Sequence, residues 1–458
     1  MEENAKKPKV QRGNMTEGNV AKVLLAFTIP TLLTNILNAL YNMADSIIIG
    51  RFAGADGLAA VGANSFVSML MVALFVGAGV GGGVYVSQLM GARKYDELSN
   101  AFGTMYCLIA LMSATTGIIA NIVAVPLLKA LNTPENIFAD TLLYFRIYCA
   151  GLPGLAIYSS GSAGLRSIGD AKAPLYFLIF SAIMNVALNL LFVVVFHMGV
   201  AGVAWATLIA EYLSAILVLL RTSTTKLAEI KINRDSLKLR GPIVKIILKL
   251  GIPSALQQGV QSFGNVLCQR YLNGFGSNAV AAATSAMRLD GFIMMPAQSI
   301  SMAMSVFFGQ NLAAKKEERL HQGMRIGISL CVIFSVLLSV VLYIFAEAGM
   351  KLFTDDPNVI HYGATMLRIM SWFYWSMAVF NAFTGILRGA GDTMVVMVIS
   401  IIGTVLRVPL TYLLSAKPMS FPNYFWSLII CNIVMMVLAG IRYYQGGWKK
   451  KVVVTIDD

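Results

Sequence analysis

Apolar segments of about 20 residues recur from one end of the chain to the other, with short polar links between them. A helix of that length spans the roughly 30 Å hydrocarbon core of a bilayer. We therefore predict an all-α membrane protein with about twelve transmembrane helices. The predicted spans are 21–49, 57–87, 100–128, 140–165, 172–196, 200–221, 243–272, 280–309, 323–348, 361–388, 393–415 and 423–445.

A duplication within the chain predicts two six-helix lobes. Its matched segments recur in order at a nearly constant offset, which a single chance match would not produce. Since each copy holds six spans, both copies have the same orientation, and we expect a parallel repeat about a pseudo-two-fold axis along the membrane normal. The matched segments are TIPTLLTN (28–35) with GIPSALQQ (251–258), SQLMGARKYDEL (87–98) with GQNLAAKKEERL (309–320), FRIY (145–148) with LRIM (367–370), and LRSIGD (165–170) with LRGAGD (387–392).

The composition excludes a soluble protein. Of the 458 residues, 57% are hydrophobic and 12% are charged, whereas a soluble domain has about 25% charged residues. The cysteines share no motif spacing and the histidines are scattered, so we predict neither a disulfide framework nor a metal cluster. No nucleophile motif or cluster of histidines and acids points to an enzyme. The cysteines are Cys107, Cys149, Cys268, Cys331 and Cys431, and the histidines are His197, His321 and His361.

Lysine and arginine are concentrated in alternate links. The net charge is +13, and the links after even-numbered spans carry most of the excess, so the positive-inside rule places both termini in the cytoplasm. The basic residues are not separable from the loops, which argues against nucleic-acid binding. We also expect no cleavable signal peptide before the first span. The longest basic link carries Arg221, Lys226, Lys231, Arg234, Lys238, Arg240, Lys245 and Lys249.

These patterns divide the chain into five parts. The expected parts are a cytoplasmic N-terminal tail (1–19), an N-lobe with helices 1–6 (20–221), a cytoplasmic linker (222–242), a C-lobe with helices 7–12 (243–445) and a cytoplasmic tail (446–458). Two lobes that rock around a central cavity would give alternating access to the two sides of the membrane. A purely structural duplication is the alternative.

An acid and several polar neighbours lie near the far end of the first span. A charged side chain at the centre of a membrane helix costs about 2.5–3.5 kcal/mol on insertion scales, and such residues usually serve a pathway, a relay or a counter-ion. Tyr41 precedes Asp45 by four residues and shares its helix face, and Asn38 and Asn42 are close to that face. The alternative is an ion pair with Arg51, or a position of Asp45 at the outer headgroup level.

Several segments are specific in combination: IP at 29–30 and 252–253, YNMAD at 41–45, GVAGVAWAT at 199–207, MPAQSIS at 295–301, and the motifs LRSIGD and LRGAGD. Together they resemble the multidrug and toxic compound extrusion (MATE) family over nearly the whole chain. The resemblance implies an efflux antiporter that exports small amphipathic, often cationic compounds in exchange for H⁺ or Na⁺. It implies the inner membrane of a bacterium or archaeon and no covalent cofactor, with membrane lipid around the protein, and we expect a monomer.

The resemblance also implies a cation-coupling site in the N-lobe. Asp45 and Tyr41 match an acid and a tyrosine of the family's first helix, and Asn185 and Thr207 match an asparagine and a threonine of its site. Asn189 stands where related members have a second acid, which weakens a possible Na⁺ site at Asp45, Asn185, Asn189 and Thr207. Coupling to H⁺ and coupling to Na⁺ both stay open, and the two asparagines can instead bond neighbouring helices.

Glu211 is a candidate for the missing second acid, because it follows Thr207 by one helical turn. The alternative for Glu211 is an ion pair with Arg221 or a contact with a neighbouring helix. In the mechanism that the resemblance implies, protonation of Asp45 from outside changes the first helix, closes the N-lobe cavity and releases the substrate outward.

A substrate cavity is predicted from polar and methionine side chains in both lobes. Gln257 and Gln261 share a helix face, and methionine supplies adaptable apolar surface for loosely specific ligands. The structural alternatives are bonds between helices for the amides, core filling for the methionines and ion pairs for the charged residues. The predicted cavity residues are Asn38, Asn42, Met69, Gln257, Gln261, Arg288, Asp290, Met294 and Asn381.

A flippase of lipid-linked precursors on a related two-lobe scaffold is the alternative function. That class often has more spans and a basic cavity, so the predicted span number and the few cavity cations argue against it. Arg270, Arg288 and Arg407 keep it open, and Arg407 can either attract anions or pair with an acid.

Overall fold

The computed structural model describes residues 14–225, 230, 232, 234–415 and 421–456. Within these ranges the chain is helical and contains no strand. Eleven helices are long and apolar enough to cross a membrane, and two shorter helices, α11 and α12, together make a twelfth crossing. The helices are α1 (Val20–Phe52), α2 (Gly54–Gly91), α3 (Tyr95–Ile122), α4 (Ala124–Ala130), α5 (Glu135–Ser167), α6 (Lys172–Asn189), α7 (Gly199–Thr224), α8 (Gly241–Asn273), α9 (Ser277–Ala313), α10 (Glu317–Lys351), α11 (Pro357–Ser371), α12 (Tyr374–Gly389), α13 (Thr393–Ser415) and α14 (Phe421–Tyr444).

The tenth crossing differs from the single span predicted over 361–388. Helix α11 ends at Ser371 and α12 begins at Tyr374, so Trp372 and Phe373 interrupt the crossing. Both interrupting residues are apolar aromatics, and the hydrophobic pattern therefore gives no sign of the break. Every other predicted span coincides largely with one long helix, which confirms the predicted all-α membrane fold.

The two lobes share several local features, although the break between α11 and α12 has no counterpart in the continuous α5. Helix α3 stops at Ile122, and the short α4 follows across Val123. Helix α10 has non-helical backbone angles at Phe345, which is the position equivalent to Val123 in the second copy of the repeat. Helix α5 begins at Glu135, and α11 begins at the equivalent position, Pro357. These matching positions confirm a parallel repeat of two lobes.

Each copy of the repeated LRSIGD/LRGAGD motif ends with an acid that is held by the last helix of its own lobe. Asp170 accepts from Nη2 of Arg221 on α7 at 2.7 Å, and Asp392 accepts from Nε of Arg442 on α14 at 2.8 Å. The two ion pairs are equivalent under the repeat. Because Arg221 is engaged with Asp170, the ion pair considered above between Arg221 and Glu211 is absent.

Both described chain ends pack at one end of the bundle, which we call the terminal face and define by residues 14–19 and 447–456. Gln88 on α2 crosses between the lobes at this face. Its Nε2 donates to the carbonyl of Gly389 in the C-lobe at 3.1 Å, and its Oε1 accepts from the backbone N–H of Val453 at 2.8 Å. One side chain therefore ties together the N-lobe, the C-lobe and the C-terminal segment.

Gln310 on α9 makes the equivalent crossing in the opposite direction. Its Nε2 donates to the carbonyl of Ser167 in the N-lobe at 2.8 Å, and its Oε1 accepts from the backbone N–H of Met15 at 2.8 Å. Gln310 is equivalent to Gln88 under the repeat, as Gly389 is to Ser167. Both side chains are completely buried. We call Gln88 and Gln310 the glutamine pair, and it closes the terminal face.

The linker and the tails lie only partly within the described residues. Lys226 and Lys231 of the predicted basic link are outside them, as are residues 1–13 and 457–458 of the predicted tails. The described helices on either side are α7, which ends at Thr224, and α8, which begins at Gly241.

Replacing Gln310 with alanine should open the terminal face. The substitution leaves the Ser167 carbonyl and the Met15 N–H without their side-chain partner, and an unpaired buried polar group costs about 1–3 kcal/mol. Spin labels at positions 96 and 318, at the exposed starts of α3 and α10, would be placed in a variant without the native cysteines. Double electron–electron resonance should then report a new population at longer distance.

Gln269→Ala is the matched control for this experiment. Gln269 donates to the Asn273 side chain on an exposed part of α8, away from the lobe boundary. A distance distribution that is the same in Gln310→Ala and in Gln269→Ala would show that the glutamine pair does not hold the terminal face closed.

Candidate functional site

A chain of hydrogen bonds links three helices inside the N-lobe. Nδ2 of Asn189 on α6 donates to Oδ1 of Asp45 on α1 at 2.7 Å and to Oδ1 of Asn185 at 2.8 Å. Nδ2 of Asn185 donates in turn to Oγ1 of Thr207 on α7 at 3.3 Å. The structure thus brings together the four residues for which a possible cation site was predicted, and their role stays a prediction.

The backbone of α6 presents the two asparagines on one face, since they are four residues apart. Asn185 and Asn189 are both completely buried, and buried amides of this kind are expected to be hydrogen-bonded. One polar atom breaks that expectation, because Oδ1 of Asn189 has no partner. A π-helical turn from Leu190 to Val195 follows directly, and such turns are frequent at functional sites.

Glu211 is half-buried and lies beside this hydrogen-bond chain, around the same small cavity as Thr207. A cavity of about 10 Å³ lies between α5 and α7 beside its carboxylate, which is about the volume that one water molecule needs. Tyr41 lies within electrostatic reach of both Asp45 and Glu211. The cavity is lined by Tyr144, Tyr148, Gly151, Ala204, Thr207, Leu208 and Glu211.

No fixed cation neutralises the two acids within the described part of the chain. Arg51, considered above as a partner of Asp45, is exposed in the last turn of α1 and forms no ion pair with it. Since a bare carboxylate is costly in an apolar helix bundle, a proton or a mobile cation is left to balance the charge.

The equivalent position in the C-lobe carries a neutral chain. Sγ of Cys268 on α8 lies 3.7 Å from Oγ1 of Thr411 on α13, which lies 2.8 Å from Oγ of Ser427 on α14. Under the repeat, Cys268 is equivalent to Asp45 and Thr411 is equivalent to Asn189. Equivalent helices are therefore joined by hydrogen bonds in both lobes, but only the hydrogen-bonded set of the N-lobe contains an acid.

A central cavity of about 520 Å³ lies between the two lobes. Its walls are parts of α1, α2 and α5 from the N-lobe and of α8, α9, α12 and α14 from the C-lobe. Along α2 it runs from Val76 to Ser87, a rise of about 16 Å at about 1.5 Å per residue. Ser87 directly precedes Gln88, so the cavity ends beside the glutamine pair.

The structure places some predicted cavity residues in these walls and others elsewhere. Those in the walls are Gln257, Gln261, Met294 and Asn381. Those outside the walls are Asn38, Asn42, Met69, Arg288 and Asp290, of which the first four have exposed side chains. Asn35, Asn38 and Asn42 share one face of α1, since they are three and four residues apart. The cavity wall on α1 includes Phe27 and Asn35, and Asn38 and Asn42 lie further along the helix, where their side chains are exposed.

Two charged residues of the C-lobe have other surroundings. Asp290 lies beside the hydroxyl of Tyr374. Arg407 donates from Nη1 to Oδ1 of Asn265 at 2.7 Å and is outside the cavity walls. No described acid forms an ion pair with Arg407, and the roles of both residues stay predictions.

The cavity walls also contain Gln258, which the sequence offered as a cavity residue together with Gln257, and larger polar residues that were not predicted: Asn35, Gln298, Arg166 and Arg388. Asn35 and Gln258 occupy matching positions in the repeated TIPTLLTN and GIPSALQQ segments, which was a usable signal. The two arginines are the second residues of the LRSIGD and LRGAGD motifs. Each lies in the last turn of its helix, where the positive-inside count treats it as part of a loop.

This architecture is that of a two-lobed membrane transporter, with a cavity at the lobe boundary and an acid cluster in one lobe. The MatE family model matches residues 30–191 and, a second time, residues 253–413. Each match falls within one lobe, and together they cover more than half of the chain. The protein belongs to the multidrug and toxic compound extrusion (MATE) family.

Relatives with known names agree with this assignment. The chain is 28% identical over 440 residues to the probable multidrug resistance protein YoeA of Bacillus subtilis, covering 94% of this chain and 95% of YoeA. It is 30% identical over 404 residues to the probable multidrug resistance protein YpnP of the same organism, covering 88% and 90%. A crystal structure of MATE in the bent conformation has the same fold, with a TM-score of 0.90 at 22% identity over 98% of this chain and 100% of the other.

Replacing Asn189 with alanine should destabilise the N-lobe. The substitution removes hydrogen bonds to Asp45 and Asn185 inside an apolar bundle, and each unpaired buried group costs about 1–3 kcal/mol. The apparent melting temperature in detergent should fall, whereas Asn42→Ala, which removes an exposed amide, should leave it nearly unchanged. In a double-mutant cycle, the effects of Asn189→Ala and Asp45→Ala should be less than additive. Strict additivity would contradict the coupling.

Proposed function

We propose that this MATE transporter exports small amphipathic compounds in exchange for a cation that enters at the N-lobe acid cluster. The observation that carries the proposal is the hydrogen-bond chain from Asp45 through Asn189 to Asn185, which makes the position of α1 depend on what Asp45 binds. The relatives named as probable multidrug resistance proteins support a drug-export role. They give no support to the flippase alternative.

The geometry favours H⁺ over Na⁺ as the coupling ion. Nδ2 of Asn189 lies 2.7 Å from Oδ1 of Asp45 and 2.8 Å from Oδ1 of Asn185. An N–H donor therefore lies between the two oxygens that a metal ion would need as ligands. Hard cations prefer several oxygen ligands, and Asp45 is the single acid among the hydrogen-bonded residues Asp45, Asn189, Asn185 and Thr207. A proton needs the carboxylate alone.

Protonation changes which atoms can bond at Asn189. An ionised Asp45 only accepts hydrogen bonds, and Asn189 donates to it in this structure. A protonated Asp45 becomes a donor, and its best acceptor is the unpartnered Oδ1 of Asn189. Turning the amide over to reach it withdraws Nδ2 from Asn185. Proton binding thereby reverses the donor and acceptor in the α1–α6 contact and separates that contact from Asn185 and Thr207. This rearrangement is the proposed link between proton entry and substrate release.

We place the terminal face in the cytoplasm and the protein in the plasma membrane. Basic residues cluster around the described part of this face, and the positive-inside rule assigns such a face to the cytoplasm. The glutamine pair then closes the cavity on the cytoplasmic side, so substrate leaves and protons enter from the other side. One chain contains both lobes and the whole cavity, so a monomer is sufficient. The basic residues are Arg93, Lys94, Lys315, Lys316, Arg319, Lys449, Lys450 and Lys451.

Transport by purified protein in liposomes should be driven by a proton gradient and abolished in Asp45→Asn. Asparagine keeps the size of aspartate but cannot exchange a proton, so the cycle lacks its coupling step. Rhodamine 123 efflux would be measured under an imposed pH gradient and, separately, under a Na⁺ gradient. Asp140→Asn, an exposed carboxylate on α5 of the same lobe, should transport like the wild type.

Glu211→Gln separates a second proton site from a structural role. Loss of transport with an unchanged melting temperature would make Glu211 part of the coupling site. Transport that responds to the Na⁺ gradient alone would overturn the choice of H⁺. Full activity of Asp45→Asn under the pH gradient would overturn the role of the acid cluster.

A further inference from the structure

We propose that the central cavity binds a negatively charged group of the substrate between Arg166 and Arg388. The inference deepens the proposed export function and rests on it, because it names the substrate class of the same cavity. That class is amphipathic organic anions and zwitterions with a carboxylate or phosphate group. It differs from the cationic compounds that the family resemblance implies.

The two arginines are equivalent under the repeat. Arg166 lies in the last turn of α5 and Arg388 in the last turn of α12, and each is the second residue of its motif copy. Both line the central cavity, at the end that meets the glutamine pair. Ser167 and Gly389, the residues that follow them, supply the two carbonyls of the inter-lobe crossing. Each lobe therefore contributes one guanidinium to the same end of the cavity.

No negative charge in the cavity walls balances these guanidinium groups. None of the described residues that line the cavity is an aspartate, a glutamate or a lysine. An unpaired charge in a low-dielectric interior is costly, and the cost rises further when two like charges border the same space. An anion in the cavity would lower the cost at both arginines at once.

The acids that follow them by one helical turn are engaged by other arginines. Asp170 follows Arg166 by four residues, and it is bound by Arg221 from α7 at 2.7 Å. Asp392 follows Arg388 by four residues, and it is bound by Arg442 from α14. Each lobe thus holds its acid outside the cavity with a separate arginine and leaves the cavity arginine without an ion pair among the described residues.

Arg388 is held in place by neutral groups. Its Nη2 donates to Oε1 of Gln257 at 2.7 Å, and Nε2 of Gln257 donates to Oγ of Ser400 at 2.8 Å. Nε of Arg388 is buried and has no partner. A guanidinium that is oriented by an amide and retains unused N–H donors suits the planar, two-oxygen face of a carboxylate or phosphate.

The remaining walls suit the rest of an amphipathic molecule. The volume of about 520 Å³ is within the range of about 300–1,000 Å³ that is typical of small-molecule sites. Met294, Met302, Met377 and Phe380 offer adaptable apolar surface, and amides such as Gln261 offer neutral polar contacts. An organic anion can place its charge at the arginines and its apolar body along α9 and α12.

A pair of dyes with related ring systems and opposite charge tests the inference. Fluorescein is anionic and rhodamine 123 is cationic, and their binding to the wild type would be compared by fluorescence polarisation in phosphatidylcholine nanodiscs, which contain no anionic lipid. We expect fluorescein to bind at least about tenfold more tightly. Arg166→Gln and Arg388→Gln should each weaken fluorescein binding by about tenfold or more and leave rhodamine 123 binding unchanged or stronger.

The controls separate the charge of the cavity from its structure. Arg368→Gln removes an exposed arginine from a surface ion pair and should leave both dyes unaffected. Arg388→Lys keeps the charge without the planar fork, so its fluorescein affinity should lie between those of wild type and Arg388→Gln. If the glutamine variants fail to fold, added salt still decides the matter in the wild type, since it should weaken fluorescein binding and leave rhodamine 123 binding unchanged.

The results distinguish this inference from the proposed function. Equal or weaker binding of fluorescein than of rhodamine 123 by the wild type overturns the anion site, even when a proton gradient drives rhodamine 123 out of liposomes. Binding of fluorescein that depends on Arg166 and Arg388 supports the site, even when neither dye is transported and the export proposal fails.

Discussion

Lipid offers no hydrogen-bond partners, so polar groups within the membrane-spanning part depend on partners inside the protein. This constraint explains why the few polar side chains form connected sets. Asn189 and Asp45 join α6 to α1, and Gln88 and Gln310 join one lobe to the other. In each set the bonded groups lie on different helices, so a change of partner alters how those helices are joined. The same bonds that stabilise this conformation therefore define the places where it can switch.

The duplication gives the two lobes the same helix arrangement, and the lobes differ in the side chains at some equivalent positions. Both lobes repeat the kink after the third crossing and the ion pair at the LRSIGD/LRGAGD motif. The N-lobe chain contains Asp45 where the C-lobe has Cys268, so only one lobe can respond to protons at this position. The cavity arginines are instead alike in both lobes, since the equivalent positions 166 and 388 both hold arginine. In the proposed mechanism coupling is therefore asymmetric, whereas the charged end of the cavity is symmetric.

The helices and the repeat could be predicted because both depend on the length and spacing of hydrophobic segments, which can be read directly along the sequence. It also grouped Asp45 with Asn185 and Asn189, because a buried acid and amides one turn apart are informative by themselves. It failed where the outcome depends on how far the cavity extends along a helix or on a partner from another helix. Asn35 and Asn38 share one face of α1, and only the packed structure shows that the cavity wall includes the first and not the second. In the sequence Arg388 looks like a loop charge close to Asp392, and only the structure shows that Asp392 is bound by Arg442 instead.

The glutamine pair holds backbone amides from the two chain ends, Met15 and Val453. The terminal segments therefore cross the boundary between the lobes, and they have to separate from the glutamine pair whenever the cavity opens to this side. In the proposed transport cycle their detachment is a step in opening this side, so a load on either terminal segment would change the turnover rate. A fused tag with a short spacer, or a membrane surface that attracts the basic residues 449–451, would therefore lower or raise the turnover rate of this transporter without contacting its cavity.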